Sequence, residues 1–209
     1  MERGVLGTVP GGEEAGKRGR VGWRVRIPGM LGTLATVPAL DRPDLLAAPV
    51  TAALAGWSAA DQVLVAPIDA ELADTAAFCE AYSVGLDVSA NCVVVAGKRG
   101  GETRYAACLI LATTRADVNG AVRRHLDVRK ASFLPMAEAV GLTGMEYGGI
   151  TPIGLPAGWP ILVDEAVAAT KIVIIGSGLR RSKIELPGAT LADLPGAVVV
   201  PIATTPPPV

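Results

Sequence analysis

The spacing of hydrophobic residues changes several times along the chain, and each spacing predicts a different kind of element. β-Branched and other apolar residues on both sides of a glycine-containing turn are typical of β-hairpins. Two segments have this pattern: "NCVVVAGKRGGETRYAACLILATT", and "KIVIIGSG" followed by "RRSKIEL". Shorter apolar runs predict further strands at "QVLVAPI", "KASFL", "PILV" and "AVVVPIA".

Apolar residues at helical spacing predict helices between these strands. They lie at "LLAAPVTAALAGW", "AELADTAAFCEAYS", "RADVNGAVRRHLD", "MAEAVGL" and "DEAVAA", with a short turn at "TLADL". Gly120 weakens the third of these helices. Hairpins imply antiparallel pairs, and strands and helices do not alternate regularly. We therefore predict an α+β fold with a mixed, mainly antiparallel, curved or barrel-like sheet and helices packed outside.

Composition divides the chain into three segments. Residues 1–43 include "GTVPGGEEAGKRGRVG", which mixes glycine and charge without an apolar period. Such a segment cannot offset the entropy of ordering, so we predict a flexible N-terminal extension. Residues 44–203 have the pattern of a folded domain, and residues 204–209 are expected to form a loose tail.

Glycine and proline are concentrated in one run, "GMEYGGITPIGLPAGWP", at residues 144–160. Prolines lack the N–H that helices and sheet ladders need, and they bias the preceding residue toward extended backbone. We predict an irregular but stiff loop. It is either a long surface connection or a segment whose glycines bring backbone N–H groups close to a ligand.

Charge and cysteine content limit the classes of partner and cofactor. The chain has 19 Lys and Arg against 20 Asp and Glu, so no overall positive field favours DNA. Contact with RNA would depend on local basic clusters. Cys79, Cys92 and Cys108 are spaced unlike a metal-binding framework, and with a single histidine we predict no metal and no cofactor. Reduced thiols and interrupted apolar runs predict a soluble cytoplasmic protein with no membrane partner.

Three motifs resemble a known family in their order and spacing. "LTGMEYGGITPIGLP", then "PILVDEAV" and "GSGLRRSKIEL", are similar to the YbaK/EbsC family, and the resemblance covers about residues 60–203. That family comprises aminoacyl-tRNA deacylases and includes the editing domain inserted in bacterial prolyl-tRNA synthetases. The resemblance implies a hydrolase that acts in trans on the ester at the acceptor end of mischarged tRNA.

The resemblance places the reaction at a Gly-x-x-x-Pro loop, met here by Gly148 and Pro152. Backbone N–H groups of this loop would stabilise the oxyanion that forms when water attacks the ester, and one such donor contributes on the order of 10²–10³ in rate. The candidate catalytic residues are Asn91, Gly148, Gly149, Ile150, Thr151, Pro152 and Gly154. Thr143, Gly144 and Asp164 are expected to support the loop, and Asp164 also to accept N–H bonds at a helix start.

One position departs from the family pattern. The family's deacylases usually have a lysine near the start of the central hairpin, where this chain has Asn91. Asparagine donates and accepts hydrogen bonds but has no charge. Asn91 either holds water or the ester carbonyl, or is a polar residue at a strand start. Its neighbour Cys92 is expected to face the opposite side of the strand and to be a small core residue.

Basic residues form two clusters that could contact acceptor-stem phosphates. The first contains Arg123, Arg124, Arg129 and Lys130, and the second contains Arg180, Arg181 and Lys183. Considered alone, either cluster is better explained as ordinary surface charge; flanking a deacylase pocket, both become candidates for phosphate contacts. His125 is interpreted as part of the first basic face rather than as a catalyst.

Two other functions remain open. The fold could serve as a binding module for tRNA or a small molecule with weak or no catalysis, because Asn91 lacks the lysine's charge. Alternatively, the chain could be an interaction protein that uses its N-terminal extension. Neither the amino acid that is edited nor the oligomeric state is predicted.

Overall fold

A computed structural model of the protein describes residues 31–205. Its strands are β1 (Val37–Pro38), β2 (Leu64–Pro67), β3 (Ala90–Arg99), β4 (Glu102–Leu111), β5 (Arg115–Ala116), β6 (Ala131–Phe133), β7 (Ile161–Val163), β8 (Val173–Gly176), β9 (Ser182–Leu186), β10 (Ala197–Val199) and β11 (Ala203–Thr204). Its α-helices are α1 (Ala48–Gly56), α2 (Thr75–Tyr82), α3 (Arg123–His125), α4 (Met136–Thr143) and α5 (Glu165–Ala169). Short 3₁₀ turns lie at Ala39–Asp41, Pro43–Leu45, Ala60–Gln62, Ala70–Leu72 and Gly188–Asp193, and a π-type turn at Val118–Val122 leads into α3.

The hairpin of β3 and β4 organises the larger sheet. Its strands pair over their full length, from Ala90 opposite Leu111 to Arg99 opposite Glu102. Gly100 and Gly101 follow β3 with positive φ angles, a conformation that glycine adopts without steric cost. The order of strands is β10-β7-β4-β3-β6. Strand β7 runs parallel to β4 and β10, and the other pairs are antiparallel.

The second sheet has the order β1-β2-β9-β8 and is antiparallel throughout. Because side chains alternate along a strand, its two faces differ. Ile175 and Ile184 point into the main core, whereas Ile174 packs in a separate cluster under α2. Lys183 and Ile184 are neighbours on β9, so Lys183 leaves the sheet on the α2 side.

The main core lies between the two sheets and α1. Val50 and Leu54 of α1, Leu109 of β4 and Ile184 of β9 belong to one buried cluster. Fully burying a side chain of this size contributes about 1.5–3 kcal/mol relative to leaving it exposed. A second cluster lies beneath the π-type turn and α3, and a third beneath α2. No helix among residues 31–205 is both long and apolar enough to cross a membrane.

All the predicted strands and helices are present, and the mainly antiparallel α+β arrangement is confirmed. Two differences have local causes. The helix predicted at residues 115–127 begins as a π-type turn, in which the Asp117 carboxylate accepts the N–H groups of Gly120 and Ala121. A Cβ at Gly120 would lie 2.0 Å from an Asp117 oxygen, so glycine is needed for this cap. The last predicted strand is interrupted at Pro201, which has no N–H to donate.

The predicted boundary at residue 44 needs correction. Residues 1–30 lie outside the described residues, but Leu34 and Ala39 are buried and β1 pairs with β2. The folded domain therefore includes residues 31–43. The glycine- and charge-rich run at residues 7–22 does not mark where the extension ends, and the apolar residues Leu34 and Ala39 beyond it belong to the domain. At the other end, β11 includes Thr204, and residues 206–209 lie outside the described residues.

Candidate active site

The glycine- and proline-rich segment after α4 forms a fixed loop between α4 and β7. From Met145 to Pro160 it contains neither helix nor strand, as its prolines predict. Its middle is anchored because Pro152 and Ile153 are buried, whereas Gly148 near its start is exposed. At its far end, the Trp159 ring stacks on the Tyr105 ring of β4, with centroids 4.8 Å apart.

Hydrogen bonds join the start of this loop to the turn between β8 and β9. The Glu146 N–H donates to the Gly178 carbonyl at 2.8 Å, and the Gly178 N–H donates to the Gly149 carbonyl at 2.7 Å. The Arg180 N–H donates to the Glu146 carboxylate at 2.6 Å. These reciprocal bonds hold two glycine-containing segments backbone to backbone.

Glycine is required at the points of closest approach. A Cβ on Gly149 would lie 2.6–2.8 Å from the Leu179 backbone, and a Cβ on Gly176 would lie 2.3 Å from the Gly149 carbonyl oxygen. Neither backbone can give way easily because both are hydrogen bonded. The glycines in "GSG" and "GG" therefore set the height of the loop above the sheet.

The Arg180 side chain clamps the loop to the turn that precedes α2. Its guanidinium donates to the Tyr147 carbonyl and to the Ala70 carbonyl, each at 3.1 Å. Arg180 was predicted as a phosphate contact, but its guanidinium already binds two backbone carbonyls. Its neighbour Arg181 is exposed and donates to the Asp44 carbonyl at 2.8 Å.

The loop's backbone N–H groups fall into two sets. The Gly149 N–H donates to the Glu146 carbonyl at 2.9 Å, and the Thr151 N–H faces the Met145 sulfur at 3.5 Å. These two predicted oxyanion donors are therefore occupied. The N–H groups of Gly148 and Ile150 have no acceptor among residues 31–205.

The direction of the Ile150 N–H follows from the bond made by the preceding carbonyl. The described chain has no cis peptide, and in a trans peptide the C=O and the following N–H point in opposite directions. The Gly149 carbonyl points at the Gly178 N–H, so the Ile150 N–H points away from that turn. It is a fixed donor that the fold itself does not use.

The remaining predicted loop residues have packing roles. Thr151 and Pro152 are buried, and the Thr151 hydroxyl has no partner among residues 31–205. Gly154, with a φ of 82°, lies against the backbone of α1, where a Cβ would come within 2.4 Å of the Pro49 carbonyl oxygen. These three residues hold the loop in place and are not exposed to a ligand in the way that Gly148 is.

Asn91 lies at the start of β3 and is bonded to the start of α2. The Thr75 hydroxyl donates to the Asn91 side-chain oxygen at 2.6 Å, and the Asn91 amide N–H groups have no acceptor among residues 31–205. Asn91 is therefore a donor at this position. Two residues before Thr75, the Ala73 side chain lies 3.9 Å from where a Gly148 Cβ would be. The residues that lead into α2 thus link Asn91 to the exposed start of the loop.

Cys92 is half-buried and lies on the core face of β3, as alternation along the strand predicts. It packs against the main cluster, and burial raises the pKa of its thiol. Burial also raises the pKa of Cys108 on β4 to about 12. Because the thiolate is the nucleophile, neither residue is poised to attack an ester.

Lys183 is placed quite differently from the exposed cluster in which it was predicted. Its side chain is buried on the α2 side of the second sheet, with the ammonium 5.2 Å from the centroid of the Phe78 ring. The ammonium donates to the Ala73 carbonyl at 2.9 Å. Burial lowers its pKa from 10.5 to about 8. The prediction failed because the run "RRSK" suggests a solvated surface, whereas α2 covers this face.

The predicted support residues act at the ends of the neighbouring helices. Gly144 ends α4 with a φ of 65°, and the Thr143 hydroxyl accepts the Met145 N–H at 3.3 Å. Asp164 caps α5 through the Ala166 N–H. Its second oxygen accepts the N–H groups of Ile202 and Ala203, so Asp164 holds the C-terminal segment rather than the loop.

The first basic cluster gains two members in the structure. Arg129 and Lys130 meet Lys98 and Arg99 of the β3–β4 hairpin around shallow depressions. We call Lys98, Arg99, Arg129 and Lys130 the hairpin basic face. Arg99 and Arg104 both pair with the exposed Asp127. The sequence signal for these additions was the "GKRGG" turn.

The two remaining arginines of the predicted cluster lie on α3. Arg124 is exposed, whereas the Arg123 guanidinium donates to the Asn119 carbonyl at 2.8 Å. His125 is exposed.

A groove lies at the other end of the loop. It has a volume of about 930 Å³ and is formed by residues 152–161, the end of α1 with Trp57, and residues 193–196. Asp193 is its only titratable side chain, and Gly148, Asn91 and Lys183 are not part of it. We therefore place the candidate chemistry at the 148–150 end. Within residues 31–205 no cluster of His, Cys, Asp or Glu could hold a metal ion.

Comparisons with solved structures show the same fold. A candidate trans-editing enzyme for prolyl tRNA synthetase is 22% identical, with a TM-score of 0.65 over 76% of this chain and 96% of that one. The hypothetical protein APE2540 is 21% identical, with a TM-score of 0.60 over 67% of this chain and 90% of that one. A comparison with curated proteins finds no match.

Sequence comparison with family models gives a more specific result. The model of the aminoacyl-tRNA editing domain matches residues 69–194. This range contains the loop, Asn91, Thr75 and Lys183, and it covers more than half of the 209 residues. The protein therefore belongs to the aminoacyl-tRNA editing domain family.

Proposed function

We propose that this protein hydrolyses the ester of mischarged tRNA in trans, with oxyanion stabilisation by the backbone of the Gly148–Pro152 loop. Membership of the editing family supports the substrate class. The observation that carries the mechanism is the Ile150 N–H, which the Gly149–Gly178 bond directs away from the β8–β9 turn and which has no acceptor among residues 31–205. The N–H of Gly148, an exposed residue, also makes no bond among residues 31–205, so the loop offers two unused donors.

The loop suits this reaction because its donors are already oriented. Hydrogen bonds to residues 178 and 180, and the buried Pro152, fix the backbone before substrate arrives. Preorganised donors stabilise developing charge without reorganisation at the moment of reaction, and one donor contributes on the order of 10²–10³ in rate. Water attacks the carbonyl carbon, the bond to the ribose oxygen breaks, and that oxygen takes a proton to give the free hydroxyl.

Asn91 positions a polar group of the substrate or the attacking water. Its side-chain oxygen is occupied by Thr75, so the amide N–H groups are what it offers to a ligand. Hydrogen bonding by a neutral amide orients an acceptor but supplies no formal charge. Asn91 therefore contributes to alignment rather than to charge stabilisation.

The hairpin basic face binds the acceptor stem. Asn91 and Arg99 are eight positions apart along β3, which corresponds to roughly 26 Å at the usual rise per residue. Phosphates at that distance lie several nucleotides from the reactive ester. Contacts of this kind position the nucleic acid without reading its sequence.

Deacylation of a panel of mischarged tRNAs tests the proposal. We expect the wild-type protein to hydrolyse at least one of them well above the spontaneous rate. Gly148→Ala should reduce kcat/KM about 10- to 100-fold, because a Cβ there would lie 2.8 Å from the Arg180 guanidinium and would crowd the donor pair.

Gly101→Ala is the matched control. Gly101 also has a positive φ, 89° against 80° for Gly148, but a Cβ there meets no atom within 4 Å. Both substitutions therefore introduce similar backbone strain, and only the first alters the site. If Gly148→Ala and Gly101→Ala were equally active, the loop would have no role in the mechanism. A wild-type protein that binds tRNA but hydrolyses none of the panel would favour the binding-module function instead.

A further inference from the structure

Lys183 is the only buried cationic side chain among residues 31–205. Its ammonium has three N–H donors, and only the Ala73 carbonyl accepts from it within that range. No carboxylate of the described chain lies within ion-pairing distance of it. Burying a charge without a counterion is costly, so a cation retained in this way needs a reason other than stability.

The position of Lys183 brings it beside the loop. Lys183 is directly opposite Gly176 in the β8–β9 pair, and paired residues project from the same face of a sheet. The Gly149 and Ile150 carbonyls lie against that same face at Gly176. The ammonium ends at Ala73, and the Ala73 side chain approaches Gly148. The cation is thus between the loop and the residues that lead into α2.

We propose that Lys183 is the charged catalytic residue of the deacylation site. Its two remaining N–H donors stabilise the negative charge that develops on the ester carbonyl oxygen when water attacks. This assignment rests on the proposed function. It complements the neutral donors at Gly148, Ile150 and Asn91, none of which carries a charge.

The groups that face Lys183 leave it cationic at neutral pH. Burial is the main cause that lowers its pKa to about 8, and the Arg180 charge lowers it further, whereas Cys79 and Asp74 on the α2 side raise it. Glu185 projects from the same face of β9, and burial raises the pKa of its carboxyl group. A cation that is weakly solvated and held by one hydrogen bond can turn its other donors toward an oxyanion.

A purely structural role makes a different prediction. If Lys183 served only to hold the Ala73 carbonyl, Lys183→Met would lower stability, and activity would fall with it at every pH. If Lys183 is catalytic, removal of a buried charge should leave the melting temperature unchanged or raise it while activity falls. Opposite changes in stability and activity are typical of residues kept for function.

The test is single-turnover deacylation of the best tRNA substrate between pH 6 and pH 9.5. We expect Lys183→Met to lower the rate on the order of 10²-fold at pH 7. The ratio of wild-type to variant rates should fall as pH rises through about 8, because the wild-type ammonium is lost. Lys183→Arg, which keeps the charge, should retain an intermediate rate. Lys171→Met, at an exposed lysine before β8, should match the wild type.

The outcomes separate the two proposals. If the wild type is active and Lys183→Met deacylates within threefold of its rate, the role of Lys183 is overturned while the proposed function stands. The same holds if the ratio of the two rates does not depend on pH. No hydrolysis by the wild type on any substrate would overturn the proposed function and this assignment together.

Discussion

At the scale of single residues, the buried Lys183 predicts an unusual dependence of stability on pH. Its pKa is lowered from 10.5 to about 8 by burial, so between these values the unfolded chain binds more protons at this residue than the folded one. The free energy of unfolding must then rise with pH in that window. A pKa difference of this size corresponds to a change on the order of 3 kcal/mol in the free energy of unfolding.

Chemical denaturation of the wild type and of Lys183→Met between pH 7 and pH 10.5 measures this contribution. The variant should be the more stable protein at pH 7, and its advantage should shrink as pH rises through 8 to 10.5. Subtracting the variant's free energy of unfolding from that of the wild type at each pH removes the contribution of other titrating groups. A difference that does not change with pH would show that the ammonium is not desolvated as the structure indicates.

Residue-level predictions from the sequence succeeded where local backbone chemistry decides the outcome. Cys92 was recognised as a residue of the core face, on the side of the strand opposite Asn91, because strand alternation is a local property. Lys183 and the Gly149 N–H were misjudged. Alternation from the buried Ile184 places Lys183 on the opposite face, but only the tertiary structure shows that α2 covers that face. The bond from the Gly149 N–H to the Glu146 carbonyl likewise depends on how the loop folds back.

At the scale of elements, the contact between the β8 strand end and the loop sets the position of the donors. Gly176→Ala would put a Cβ 2.3 Å from the Gly149 carbonyl oxygen and would push the loop away from the sheet. We expect a loss of about 1–3 kcal/mol in the free energy of unfolding, as for other overpacked sites. Deacylation should fall at least 10-fold because the Gly149–Gly178 bond that orients Ile150 is broken.

Denaturation midpoints and deacylation rates measure both effects. Gly56→Ala is the control, since Gly56 ends α1 and a Cβ there meets nothing within 4 Å. Gly56→Ala should leave the free energy of unfolding unchanged or raise it slightly, and its deacylation rate should equal that of the wild type. Full activity of Gly176→Ala would mean that the loop tolerates displacement and that its orientation is not decisive.

Element boundaries were predictable wherever glycine, proline or a capping side chain marks them. The two hairpins, the Asp164 cap of α5 and the loop at residues 144–160 all have such signals. No such signal marks the start of the domain, because β1 is two residues long and is fixed only by pairing with β2. The π-type turn before α3 was also beyond prediction, since it depends on the Asp117 side chain folding back onto Gly120 and Ala121.

At the scale of the whole molecule, the charge balance confines nucleic-acid binding to local surfaces. Lys98, Arg129 and Lys130 of the hairpin basic face make no ion pair within residues 31–205. Replacing all three by Gln should weaken tRNA binding and reduce its salt dependence. On a logarithmic plot, the slope should fall by up to about 0.9 for each cation that contacts a phosphate.

Binding measured between 50 and 200 mM salt checks this expectation. Arg115→Gln with Lys171→Gln, two exposed cations outside the hairpin basic face, should leave the slope unchanged. If the control pair lost tRNA binding and the triple variant kept it, the tRNA-binding surface would have to lie elsewhere on the protein. The resemblance in sequence predicted the family, but the meeting of residues 98–99 with 129–130 requires the pairing of β3 with β6.

The central claim is that the backbone N–H of Ile150 stabilises the oxyanion of the reaction, alongside the charge proposed for Lys183. Replacement of Ile150 by its α-hydroxy acid removes that N–H and keeps the side chain. The same replacement at Thr151, whose N–H faces the Met145 sulfur, is the matched control. We predict that kcat for deacylation falls on the order of 10²–10³-fold at position 150 and less than about fivefold at position 151. Equal rates for the two semisynthetic proteins would contradict the account.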